Sequence, residues 1–134
     1  MTPRRPPQLK TPSEGASQSL FSALRHLLTS STSGLAVVRD EPMHFYANCD
    51  RPDDKGRHPF FGAVKVSNKK HLFHFMPVYD FPELLDDISP ALRKRMQGKS
   101  CFNFETLDRA LLPELERLVK RGVIRYKSAG KLQP

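Results

Sequence analysis

The sequence predicts an α+β domain: an antiparallel sheet of about five strands with the N- and C-terminal helices packed on one face. Three observations lead there. Apolar residues recur at helical spacing near both chain ends, as Leu20-Phe21-Leu24-Leu27-Leu28 and as Leu115-Leu118-Val119-Val123-Tyr126. Between these segments lie short runs rich in aromatic and β-branched residues, "PFFGAVKV" and "HLFHFMPV" foremost. The links between neighbouring runs are short and polar, which suits hairpins and therefore antiparallel pairing. Five strands is close to the usual size of a sheet.

A chain of 134 residues suits one domain. Its first fifteen residues, "MTPRRPPQLKTPSEG", hold four prolines, one leucine and no aromatic side chain. Such a segment buries too little apolar surface to offset the entropy of ordering it. Residues 1–15 are therefore expected to be a disordered basic tail, and 16–130 a single domain.

The first helix covers "ASQSLFSALRHLLTS", capped by Ser13 or Ser17 and ended by "STSG", where Gly34 is free to turn left-handed. "GLAVVRD" and "MHFYAN" then form a hairpin about Asp40-Glu41-Pro42, and "CDRPDDKGRH" reads as an exposed loop. "SNKK" joins the two best strands. Strict alternation places Leu72, His74 and Met76 on one face of the sheet and His71, Phe73 and Phe75 on the other. In the preceding strand it sets Phe61, Ala63 and Lys65 opposite Phe60, Gly62, Val64 and Val66.

"YDFPELLDDISPALRKRM" predicts two short helices. Asp80 is placed to cap the first, and Ser89 the second, with Pro90 at its first position. Arg93, Lys94 and Arg95 fall at that helix's C-terminus, where the macrodipole favours cations, and Gly98 stands where a C-cap belongs. "SCFNF" follows as a strand with Cys101 and Asn103 on one face. The last helix runs from about Leu112 to Ala129. Its apolar stripe passes through Gly122, which costs about 1 kcal/mol relative to alanine and fits a close approach to the sheet.

Function is less legible. No apolar run approaches the ~20 residues that span a bilayer, and residues 1–15 lack the apolar core of a signal peptide. A cytoplasmic location is expected. Cys49 and Cys101 do not make a disulfide framework. Asp86 and Asp87 are adjacent on a helix and point apart, and no G-x-S-x-G is present. The cations of 93–99 follow a helix rather than a glycine-rich turn, unlike a phosphate loop. His71 and His74 lie on opposite faces, and there is no C-x-x-C. No catalytic residue, metal ligand or cofactor is assigned, and the balance leans away from an enzyme.

What remains is a binding surface. Tyr46, His74, Met76, Cys101 and Asn103 are expected on one sheet face, rimmed by Arg95 and Lys99. Rings, a few polar handles and adjacent cations describe a pocket for a small anionic ligand. Cys101 is expected to be an inert, buried thiol; activation by those nearby cations is the alternative. A net charge of +8 brings in nucleic acid as a second reading. Its basic clusters are Lys55-Arg57-Lys65-Lys69-Lys70, Arg93-Lys94-Arg95-Lys99 and the C-terminal helix. The K/R-G-F-G-F signature of sheet-based RNA binders is absent.

"PFFGAVKV", "HLFHFMPVY", "PELLDDISPALRKRMQGKSCFNF" and "ELERLVKRGVIRYKSAG" together resemble the YdhG-like family of small bacterial domains of unknown function, over residues 20 to 130. The resemblance implies an α+β domain with helices packed against an antiparallel sheet, and no established activity. Some of these relatives are discussed as frataxin-like iron chaperones. Metal handling of that kind is thus a third expectation; it wants a clustered acidic surface, of which Glu83, Asp86 and Asp87 offer only a small one on a chain of net positive charge. A non-enzymatic module for a small anionic ligand or a protein partner is the preferred one.

Overall fold

The computed structural model describes residues 12–106 and 108–134. In chain order the elements are α1 (Pro12–Thr29), β1 (Ala36–Glu41), β2 (His44–Asn48), β3 (Phe60–Ser67), β4 (Lys70–Phe75), α2 (Pro77–Asp80), a 3-10 turn (Pro82–Leu85), α3 (Pro90–Arg93), β5 (Cys101–Phe104) and α4 (Leu111–Ser128). The helix α1 begins within the segment expected to be a tail, so both Ser13 and Ser17 are inside it rather than at its cap; residues 1–11 lie outside the described residues.

The strands form one antiparallel meander in the order β1-β2-β3-β4-β5. Both long helices lie on one face of it. Gly62 and Phe75 are cross-strand partners, and thus share a face. Gly62 is covered by Leu28 of α1, while Phe75 meets Gly122 of α4. Leu20, Leu24 and Leu28 from α1 and Leu115, Leu118 and Val119 from α4 are buried there with Phe45, Phe73 and Phe102 of the sheet. The apolar stripes read from the sequence are the surfaces that close this core.

One strand departs from simple alternation. Ala47 pairs with Gly62, but Asn48 pairs with Phe60, so β3 holds an extra residue between two consecutive pairs. Such a bulge sets two successive side chains on the same side. Phe61 accordingly joins Gly62 on the covered face, fully buried, with its ring centroid 5.6 Å from Phe75 and 6.4 Å from Tyr126. Phe60 is thrown to the other face, 4.7 Å from both Tyr46 and His74. The expected assignment of these two phenylalanines is therefore reversed, whereas β4 alternates as expected through Phe75.

The remaining differences are local. The first hairpin turns at Pro42-Met43, because β1 continues through Glu41. Asn68 makes the second turn at φ 57°, a conformation asparagine tolerates. Asp80 caps nothing: it closes α2 and accepts the Tyr126 hydroxyl hydrogen bond. Ser89 does cap α3, accepting from the Leu92 N–H at 3.1 Å, and its own N–H and hydroxyl both donate to Glu114 of α4 at 2.6 Å. The helix α3 stops at Arg93, so Gly98 (φ 82°) serves a later turn instead of a helix end. Gly34 is not left-handed; a Cβ there would strike the Asp50 carboxylate.

The two sheet edges are treated differently. Residues 95–97 lie along the outer side of β5, with the Asn103 N–H donating to Arg95 O at 2.7 Å and the Gln97 N–H to Cys101 O at 2.8 Å. At the far edge, β1 is exposed along most of its length and is irregular between Val37 and Arg39, a feature that discourages further pairing.

Candidate anion-binding groove

The face without the two long helices carries the candidate site. Strand register arranges it in rows. Tyr46, Ala63, His74 and Cys101 lie side by side across β2 to β5. His44, Lys65, Leu72 and Asn103 form the next row, about 7 Å further along the strands. The turn that bears Asn68 and Lys69 lies beyond it. Four of the predicted residues, Tyr46, His74, Cys101 and Asn103, thus share one face as expected.

The first row is aromatic and uncharged. Tyr46, Phe60 and His74 form a continuous file of rings. The His74 Nε2 is 2.8 Å from the Ser100 hydroxyl. Burial holds the His74 imidazole below its ordinary value, which keeps it neutral at neutral pH. Burial also pushes the Cys101 thiol up, with a Ser100 hydrogen bond opposing it. No neighbouring cation contributes to that shift, which agrees with the inert thiol expected for Cys101 and not with its activation, although the side chain is half-buried rather than buried. Cys49, buried beside β2, is pushed up to about 12 by the same desolvation.

The second row opens into a groove. One part, about 530 Å³, is lined by Ser67, Asn68, Lys69, Lys70, Leu72, Gln97, Asn103 and Glu105. A second part, about 310 Å³, is lined by Lys70, Lys94, Arg95, Met96, Gln97, Asn103 and Glu105. Lys70, Gln97, Asn103 and Glu105 belong to both, so the two parts adjoin. Their volumes suit a small molecule.

The groove is built by chain reversal. The β3-β4 turn brings Lys69 and Lys70 to one side. The return of residues 95–97 along β5 brings Arg95 and Gln97 to the other. Among the described residues the ion pairs join Arg25 to Asp40, Arg39 to Glu41, Arg57 to Asp53, Lys120 to Glu116 and Arg125 to Glu83. Lys69, Lys70, Lys94 and Arg95 are in none of them, and Glu105 is the one acid in the lining. At the centre, the Asn103 side-chain amide donates to Gln97 Oε1, while its Oδ1 is buried with no hydrogen-bond partner among the described residues. A buried acceptor left unpaired is costly, and in native proteins it usually marks a place where something else supplies the donor.

Arg95 and Asn103 are thus brought together as predicted, but Met76 and Lys99 are not with them. The strand β4 ends at Phe75; Met76 takes a helical conformation (φ −66°) ahead of α2 and packs against the core, off the open face. Lys99 is exposed in the bend before β5 and lines neither part of the groove. Lys69, Lys70, Lys94 and Gln97 were missed as site residues. Three of them stood in basic clusters already visible in the sequence, but nothing there showed which clusters converge.

His71 is buried on the covered face, opposite His74, and the His58 ring sits 2.8 Å from Cys49 O. Among the described residues no three His, Cys, Asp or Glu side chains are grouped to hold a metal, and no helix is long and apolar enough to cross a membrane. Glu83, expected on an acidic surface, is tied to Arg125 at 2.6 Å. Comparison with protein-family models, curated proteins and solved structures yields no match.

Proposed function

We propose that this chain is a non-enzymatic binding module for a small anionic ligand, held in the groove between the β3-β4 turn and residues 94–97. The observation that carries the proposal is the convergence of Lys69, Lys70, Lys94 and Arg95, none ion-paired among the described residues, around an amide oxygen that lacks a partner among them. Four cations facing one carboxylate raise the local potential, and an anion entering a partly enclosed groove feels it more strongly than in bulk water. The resemblance to YdhG-like domains and a cytoplasmic setting are part of the same proposal.

The test is a thermal-shift titration with inorganic phosphate on the unmodified chain and on Lys70→Ala. Anion binding raises Tm with concentration by mass action, and Lys70→Ala, which removes a cation common to both parts of the groove, weakens the response at least fivefold. No phosphate-dependent shift in the unmodified chain would remove this reading.

A second reading is nucleic-acid association, favoured by the Tyr46-Phe60-His74 file on an open sheet face beside the basic groove. It requires retention of single-stranded oligonucleotides that weakens steeply with salt, and a loss of that retention in Phe60→Ala.

A further inference from the structure

We infer that the ligand of this groove is a phosphorylated polyol, a sugar phosphate by class: a dianionic phosphate joined to neutral hydroxyl donors. The inference rests on the anion-binding reading and specifies its chemistry.

Two features of the lining ask for different things. Lys69, Lys70, Lys94 and Arg95 ask for a strong anion, and their number suits a phosphate dianion better than a single carboxylate. Asn103 Oδ1 and the Glu105 carboxylate ask for hydrogen-bond donors. Sulfate meets the first demand and leaves the second unmet, and inorganic phosphate carries its hydroxyl only on the anion itself, where the cations hold it. A ligand ammonium meets the second, but it would stand among four cations with one carboxylate to offset them. Neutral hydroxyls satisfy Asn103 and Glu105 without that repulsion. The carbon skeleton between phosphate and hydroxyls finds the Leu72 side chain in the same lining.

The exposed Gln97 side chain accepts the hydrogen bond from the Asn103 amide nitrogen, which leaves Asn103 Oδ1 as the acceptor a ligand hydroxyl can serve.

The experiment compares glucose 6-phosphate, inorganic phosphate, O-phosphoethanolamine and glucose by titration calorimetry at fixed ionic strength, on the unmodified chain. Glucose 6-phosphate is expected to bind at least tenfold more tightly than inorganic phosphate and than O-phosphoethanolamine, with glucose alone showing no heat. Asn103→Leu should cut the preference over inorganic phosphate to below threefold. Equal affinities for glucose 6-phosphate and inorganic phosphate would overturn the inference and leave the anion-binding reading standing. A preference for O-phosphoethanolamine would also overturn it. Absence of binding by every anion removes both. The ligand comparison needs no variant, so a misfolded Asn103→Leu does not rescue the inference.

Discussion

Gly122→Ala separates helix propensity from tertiary packing, because the two predict opposite signs. Within an isolated helix the exchange stabilises by about 1 kcal/mol. In this fold the added Cβ would stand 2.5 Å from Phe75 Cε2, 2.6 Å from Cζ and 2.9 Å from Pro77 Cβ. Ordinary carbon contacts lie at about 3.5–4.0 Å, so the overlap is about 1 Å on a rigid ring. That ring has nowhere to retreat. Phe75 is fully buried, with Phe73 6.2 Å away and Phe61 5.6 Å away between centroids. Overpacking costs about 1–3 kcal/mol, and an overlap this large on a rigid buried ring belongs in the upper half of that range, about 2–3 kcal/mol. After the gain in propensity, a net loss of about 1–2 kcal/mol remains. At about 4 °C per kcal/mol for a chain of this length, Tm should fall by about 4–8 °C. Urea unfolding checks the energy directly, with the m-value unchanged. Placing Gly122→Ala on a Phe75→Leu background should recover much of the loss, since the two residues are in contact. An unchanged or higher Tm for Gly122→Ala alone would refute the close approach of α4 to the sheet.

Two further perturbations probe the sheet. Phe61→Ala should cost about 3–5 kcal/mol, the usual range for a buried phenylalanine, whereas Phe60→Ala, half-buried on the open face, should cost less than about half as much. Equal losses in urea unfolding would argue against the bulge that exchanges their faces. His74 gives a pH dependence. Its folded-state value is lowered by burial, so the unfolded chain takes up that proton more readily. The stabilisation is full above the ordinary imidazole value of about 6.5 and is lost as pH falls from there toward the lowered folded value. His44 shifts in the same direction, also chiefly by desolvation, so the test is a difference. His74→Gln should flatten part of the decline in Tm between pH 7 and 5, and an unaltered profile would count against a buried neutral His74.

Much of the fold was legible because it follows from local periodicity. The stripe Leu20-Leu24-Leu28 and the stripe Leu115-Val119-Tyr126 each encode a helix and the face it buries. Alternation in "HLFHF" encodes which side of the sheet His71 and His74 take, and "SP" at 89–90 encodes a helix start. Gly122 within an apolar stripe already announced a close approach. The groove was only half legible. Arg95 and Asn103 were chosen because cations and a polar strand position stood near each other along the chain. Lys69 and Lys70 are distant in sequence and join them only through strand pairing.

By itself, then, the chain's order of residues determined the helices, the antiparallel sheet and the division of most side chains between a covered and an open face. These depend on periods of 3.6 and 2 that operate over a few neighbours. Tertiary structure alone decided that a bulge would exchange Phe60 and Phe61, that Met76 would leave the face of His74, and that the β3-β4 turn would meet residues 94–97 around Asn103. Those outcomes rest on strand register and chain reversal, which are fixed by contacts between residues far apart in the sequence.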